Sequence, residues 1–174
     1  PTIACGANSI VYDRQNQQSW YLIYTGTSTY CVNFNTYYQR ARHCKFVNSS
    51  TIADRQGAYG NYYQEYVDCE FVCPYGRGIT LNPSTRLVRC SAHDCSVGFN
   101  ISACERLIFL DCLMDTCGTG LSMTAAVDAL ARGLTIYNCT TGALATGAAY
   151  GWRFENCILA HCGNAANWSG GTNQ

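Results

Sequence analysis

Apolar residues in this chain recur in pairs two positions apart: Ile79 and Leu81, Phe99 and Ile101, Leu121 and Met123, Ala148 and Tyr150. A step of two places both side chains on one face of a β-strand. Each pair follows a glycine (Gly78, Gly98, Gly120, Gly147), and cysteine phrases run through the same stretch: HCKF at 43–46, DCEFVCPYGRGITL at 68–81, RCSAHDCSVGFNI at 89–101, DCLMDTCGTGLSM at 111–123, NCTTGALATGAAY at 138–150 and NCILAHCG at 156–163. Their first cysteines are Cys44, Cys69, Cys90, Cys112, Cys139 and Cys157, which recur at a nearly constant interval, longest between Cys112 and Cys139 and shortest between Cys139 and Cys157. Two markers advancing nearly in step, with a period of roughly 20 to 25 residues, predict stacked repeats.

Within each repeat, apolar residues stand three before the cysteine (Tyr66, Leu87, Phe109, Ile136, Phe154) and two after it (Phe46, Phe71, Met114, Leu159). The interval between these inward positions is odd, which breaks the two-residue period and predicts a tight bend at the polar-Cys pair. His43, Asp68, Asp111, Asn138 and Asn156 occupy that bend, and these types best tolerate a left-handed backbone. Arg89 is the member least suited to it. One such coil cannot fold alone: ordering its backbone costs about 1 to 2 kcal/mol per residue. Coils stacked about 4.8 Å apart pair strand on strand and share one core.

These marks, N/D-C-x-apolar and G-apolar-x-apolar, resemble the right-handed parallel β-helix repeats of the pectin-lyase-like superfamily over residues 41–165. The resemblance implies an all-β parallel solenoid of about six to seven coils. Residues 1–40 are then Tyr-rich strands forming partial coils or a cap, and 166–174 a flexible tail. The longest cysteine interval holds SMTAAVDALARGL at 122–134; Ala-rich, with Thr124 as N-cap and Gly133 as stop, it predicts a short helical excursion near 123–132.

Composition narrows the chemistry. At 174 residues, 48% apolar and 13% charged, the chain has the makings of one cored domain. Eleven basic and eleven acidic residues cancel, which removes the electrostatic reason to expect nucleic acid or an anionic membrane as partner. No apolar run is long enough to span a bilayer, so no membrane insertion is expected. With Pro1 first and no signal-peptide pattern, the chain reads as a processed product or part of a longer one.

Thirteen cysteines raise three readings. Second cysteines follow the first by four or five positions, as Cys73, Cys95, Cys117 and Cys162; this is the wrong spacing for a tetrahedral zinc or iron-sulfur site, and no cofactor is expected. Disulfides between stacked neighbours are within reach, but side chains in register point the same way while a relaxed bridge needs a dihedral near 90°. Reduced, buried thiols packed as small hydrophobes in a ladder remain, consistent with folding in a reducing cytosol. Cys5, Cys31 and Cys104 fall outside the ladder.

Eleven of thirteen tyrosines lie between Pro1 and Tyr75. Tyr59, Tyr62 and Tyr63 are the loop candidates for stacking on a host glycan, for contact between subunits, or for capping the coil stack. Asp94 and Asp115 share a repeat offset and are the candidate catalytic acids, with His43, His93 and His161 spread over separate coils. NxS/T occurs at Asn48, Asn100, Asn138 and Asn167, with Asn138 expected at a buried bend. The resemblance implies a non-enzymatic recognition segment of a phage tailspike or fibre, exposed on a virion or outside the cell. A trimer or end-to-end assembly is then expected. The alternatives are a secreted polysaccharide lyase or glycosidase of the β-helix type and a self-associating fibre protein.

Overall fold

The structure, a computed structural model, describes residues 1–6, 10–12, 16–102, 104–147 and 150–169. Its strands belong to three sheets. The first holds β1 (Thr2–Gly6), β4 (Ile23–Gly26), β7 (Lys45–Asn48), β10 (Glu70–Val72), β13 (Ser91–His93), β16 (Leu113–Asp115), β19 (Thr135–Tyr137) and β22 (Ile158–Ala160). The second holds β2 (Ile10–Tyr12), β5 (Tyr30–Phe34), β8 (Gln56–Tyr59), β11 (Arg77–Leu81), β14 (Val97–Ser102), β17 (Thr119–Thr124), β20 (Thr141–Thr146) and β23 (Asn164–Ser169). The third holds β3 (Gln18–Trp20), β6 (Arg40–Arg42), β9 (Glu65–Val67), β12 (Arg86–Val88), β15 (Glu105–Leu110), β18 (Val127–Arg132) and β21 (Tyr150–Glu155). Every strand pairs in parallel with the strand three places before or after it, so three consecutive strands make one coil, and the chain winds as a parallel β-solenoid of about seven turns. Residues 1–40 supply β1 to β5 to these same sheets; β23 runs through 164–169, while 170–174 lie outside the described residues.

The corners are left-handed, as the odd interval predicts. Between the third and first sheets the bend residues are Tyr21, His43, Asp68, Arg89, Asp111, Gly133 and Asn156, with φ between 49° and 66°. Arg89 adopts the same conformation as its neighbours at φ 49°. Its guanidinium meets Asp68 in the coil below through two bonds, Nε to Oδ1 at 2.7 Å and a terminal nitrogen to Oδ2 at 2.8 Å. This ion pair offsets the strain that an arginine meets there.

Register revises the cysteine ladder. The pairings of β7, β10, β13, β16, β19 and β22 align Cys44, Cys69, Cys90, Cys112, Leu134 and Cys157. Cys139 follows the second bend, where Asp94, Thr116, Asn138 and His161 are left-handed, and it stands with Cys95, Cys117 and Cys162. The uneven steps on either side of Cys139 come from placing it in the first row, where Leu134 silently takes the position. Asn138 and Ile136 move with it, Ile136 packing in register with Met114 and Leu159.

The helical excursion disappears for the same reason. No helix occurs among the described residues; 119–124 and 127–132 are strands β17 and β18, pairing in register with both neighbours. Coil-to-coil pairing overrides the helix propensity of alanine, whose small side chains Ala126, Ala129 and Ala131 fill the core at this level.

The interior is sorted by row. Tyr24, Phe46 and Phe71 stack with ring centroids 5.1 Å apart and nearly parallel planes. Phe34 and Tyr66 meet Phe46 edge-on. Where the first sheet offers only Ala92, Phe99 and Phe109 fill the space, stacked at 5.9 Å. Ten of the twelve described cysteines are buried, and all twelve are free thiols; Cys157 and Cys162, in the last coil, are half-buried. Cys31 heads a row of near-contact positions continued by Gly57, Gly78, Gly98, Gly120 and Gly142. Gly142 therefore takes the place expected of Gly147, which turns a corner at φ 72°, and the inward pair after it is Ala143 and Ala145. Tyr150 is exposed and Ala148 lies outside the described residues. A Cβ on Gly98 would lie 2.7 Å from the carbonyl oxygen of Gly120, backbone that cannot yield without parting two coils.

Two outcomes follow from this core. Gly98→Ala lowers stability by roughly 1–3 kcal/mol, the usual penalty of overpacking, read as a drop in the denaturation midpoint. Brief alkylation of the native protein, mapped by mass spectrometry, marks Cys157 and Cys162 well before the ten buried thiols, all of which react after unfolding.

Candidate functional site

Exposed chemistry gathers where outward positions of neighbouring coils meet. On the first sheet and its corner, Tyr21, Ile23, His43, Lys45, Asp68 and Glu70 line a shallow groove of about 350 Å³. Tyr21 stacks flat on His43 with centroids 4.7 Å apart, and His43 Nδ1 lies 3.7 Å from Asp68. Lys45 Nζ donates to Glu70 Oε1 at 2.5 Å, and His93 Nε2 lies 2.7 Å from that same oxygen. His93 Nδ1 lies 2.8 Å from Asp94 Oδ2.

These contacts shift the ionisation equilibria of the groups that make them. Partial burial presses His93 toward neutrality, but hydrogen bonds to Asp94 and Glu70 prevail and raise its pKa above 6.5. Burial likewise opposes ionisation of Glu70, yet hydrogen bonds from Lys45 and His93 hold its carboxyl below the ordinary range. The hydrogen bond from Arg89 lowers Asp68. Held between Asp94 and Glu70, His93 is placed to pair with carboxylates on both sides of its ring. Thiol nucleophiles are suppressed too: burial pushes Cys73, Cys104 and Cys112 up to about 11.

The candidate acids part company. Asp115 stands in register with His93, not with Asp94, and accepts a hydrogen bond from Thr116 Oγ1 at 2.9 Å. Asp94 is the bend residue one step on, engaged with His93. No group of three or more His, Cys, Asp or Glu suited to a metal ion occurs among the described residues. The sequons divide as well. Asn48 is fully buried, its amide donating to the carbonyls of Ser28 and Gln56 and accepting from Ser50 N, so it has no room for a glycan. Asn138 is exposed, contrary to expectation, because its bend faces solvent.

The tyrosine candidates split in the same manner. Tyr59 lies half-buried on the outer face of the second sheet, 5.0 Å from Tyr30. Tyr62 and Tyr63 sit at the corner leading into β9, directly over Tyr37 and Tyr38 of the preceding coil. Tyr38 and Tyr63 stack at 5.0 Å, Tyr37 and Tyr62 meet at 5.7 Å with their planes tilted by 44°, and the four rings are 42–51% exposed. Sequence reasoning passes over Tyr37 and Tyr38, although the signal is present as a second tyrosine pair one coil upstream of Tyr62 and Tyr63. Beside the rings, Tyr62, Pro83, Cys104, Glu105, Ala125 and Val127 line a groove of about 340 Å³.

The molecule is thus a parallel β-solenoid with exposed aromatic and charged side chains at its corners. No family model matches the chain, and neither does any curated protein. Among solved structures it is similar to QnrB1, a plasmid-mediated fluoroquinolone resistance protein, at 9% identity over 99% of this chain and 91% of that one, with a TM-score of 0.34. It is also similar to HetL, a pentapeptide repeat protein involved in heterocyst differentiation regulation from the cyanobacterium Nostoc, at 11% identity over 86% and 88% of the two chains, with a TM-score of 0.17. Neither neighbour is a phage tailspike or a polysaccharide lyase. The tailspike, fibre and lyase readings are corrected accordingly, and the pectin-lyase-like resemblance reduces to the solenoid architecture.

The bridged histidine has a measurable signature. Because its folded pKa is raised, His93 contributes stability that is complete below its ordinary value of 6.5 and is lost as pH rises through the folded value. The melting difference between wild type and His93→Gln is therefore largest below pH 6.5 and fades on the alkaline side, with a ceiling of about 1 kcal/mol for a site this exposed.

Proposed function

We propose that this protein is a non-catalytic scaffold that works by presenting its outer surface to protein, and that the tyrosine corner is its contact with a second copy of the chain. The observation that carries the reading is the quartet Tyr37, Tyr38, Tyr62 and Tyr63, in ring-to-ring contact across two coils and exposed. Four adjacent aromatic rings leave more apolar surface in water than a monomer gains from, and tyrosine is the residue type that interfaces enrich. Rigid rings lose little side-chain entropy on contact.

A second copy fits better than other protein surfaces because the corner is self-complementary. The ridge of rings stands beside the groove floored by Pro83, Ala125 and Val127. A two-fold axis between two copies places each ridge in the other's groove. Flanking charges of both signs, Arg40 and Arg86 with Glu65 and Glu105, then face their opposites. The ionised carboxylates and protonated thiols described above support a binding role over a catalytic one.

Sedimentation velocity tests this directly. The wild-type chain sediments as a dimer, and replacing all four tyrosines by serine yields a monomer with an unchanged β-sheet circular dichroism spectrum. A wild-type monomer at high protein concentration, or a variant that remains dimeric, overturns the reading.

A further inference from the structure

The chain's zero net charge conceals an uneven distribution. Six of its eleven basic residues, Arg40, Arg42, Arg86, Arg106, Arg132 and Arg153, lie on the outer face of the third sheet or on the corner leading into it. Among the described residues only Glu65, Glu105, Asp128 and Glu155 oppose them there. Register arranges this face in rows. Along one outward row Arg86 pairs with Ile108, Ile108 with Leu130, and Leu130 with Arg153, so two aliphatic side chains lie between two arginines. Along the next, Val88 pairs with Leu110 and Leu110 with Arg132.

The aliphatic stretch is a recess. Ile108 and Leu130 floor a groove of about 370 Å³, with Arg106 and Arg153 on its walls beside Asp128 and Gly151. Ile108 is 36% exposed, high for an isoleucine inside a sheet. The arginine heads stand well out in solvent, with side chains 64% exposed at Arg106, 55% at Arg132 and 77% at Arg153. Their acid partners sit one or two positions away or in the next coil: Arg106 with Glu105, Arg153 and Arg132 with Glu155. Glu155 serves two guanidiniums at once, which leaves donors on both for another anion.

We infer that this face binds an acidic segment of a partner protein, one that seats a bulky apolar side chain on Ile108 and Leu130 and carries carboxylates to Arg153 and Arg132. An apolar floor between forked cationic donors matches carboxylates that flank a hydrophobic anchor, since guanidiniums take carboxylates in paired hydrogen bonds. Nucleic acid fits poorly, because a phosphodiester makes no use of the aliphatic floor. A membrane fits poorly as well, because the apolar atoms lie below the arginine heads instead of projecting beyond them.

Fluorescence anisotropy on the full chain provides the test, carried out in the four-tyrosine serine variant so that self-association has no part in the result. The probe is a labelled acidic peptide, Glu-Glu-Asp-Leu-Phe-Glu-Leu-Asp-Glu-Glu. It binds, its affinity falls with added salt, and Arg153→Gln or Leu130→Ser weakens it by about tenfold each, the effect of losing one charged or apolar contact. Both variants keep the parent's melting temperature within a few degrees, since both positions face outward. Absence of binding overturns the proposal, as does equal binding of the Gln/Asn-substituted peptide. A result in which neither substitution weakens binding also overturns it, and so does tighter binding of a single-stranded oligonucleotide or of phosphatidylserine vesicles than of the peptide.

Discussion

Parallel pairing in strict register is the constraint from which the rest of this structure follows. Each residue stands directly over its counterpart one coil away, at about 4.8 Å. Inside, the rule rewards repetition: rings stack on rings and thiols lie over thiols, because a shape that packs once packs again. The thiols also donate to backbone carbonyls near them, as Cys69 does to Ala41 and Val67, and Cys90 to Tyr66 and Val88. A small, weakly polar side chain suits corners where the chain turns and carbonyls need donors.

Outside, the same rule forbids repetition of charge. Like charges stacked in register would repel at close range, so the ladders alternate. Glu65 lies between Arg40 and Arg86, Asp68 between His43 and Arg89, and Glu70 opposite Lys45. Where the alternation stops, the row turns aliphatic, as at Ile108 and Leu130, or aromatic, as at the stacked tyrosines. The exposed apolar patches are therefore places where neither packing nor charge pairing dictated the residue. Positions free of those two demands are where selection for contact with other molecules can act.

The solenoid is legible in the sequence because packing writes the same residues into each coil. The bend shows itself in an odd interval between two apolar positions, and its left-handed residues fall at His43, Asp68, Asp111 and Asn156 as expected. Two errors arise from reading residue type in place of register. Cys139 looks like a first-row cysteine, although Leu134 occupies that row, and the false gap after Cys112 then invites a helix. Hydrophobes of different chemistry are interchangeable in a ladder, so a row defined by cysteine alone slips wherever leucine substitutes.

The outer face is far less legible, for a physical reason. Interior rows repeat, but exterior pairs are made of unlike residues separated by one coil length, and that length itself varies: the step from Lys45 to Glu70 is longer than the step from Glu70 to Ser91. Tyr37 meets Tyr62, and Glu70 meets Lys45, only once the longer connection at 49–55 is counted. A net charge of zero is the extreme case of this loss. It is a sum over every face, and a sum cannot say that six arginines share one wall with an aliphatic recess. Arguments from composition against charged partners therefore apply to the whole molecule's long-range field, which salt screens within about 8 Å. They do not reach a single sheet face, whose contacts act at less than that distance.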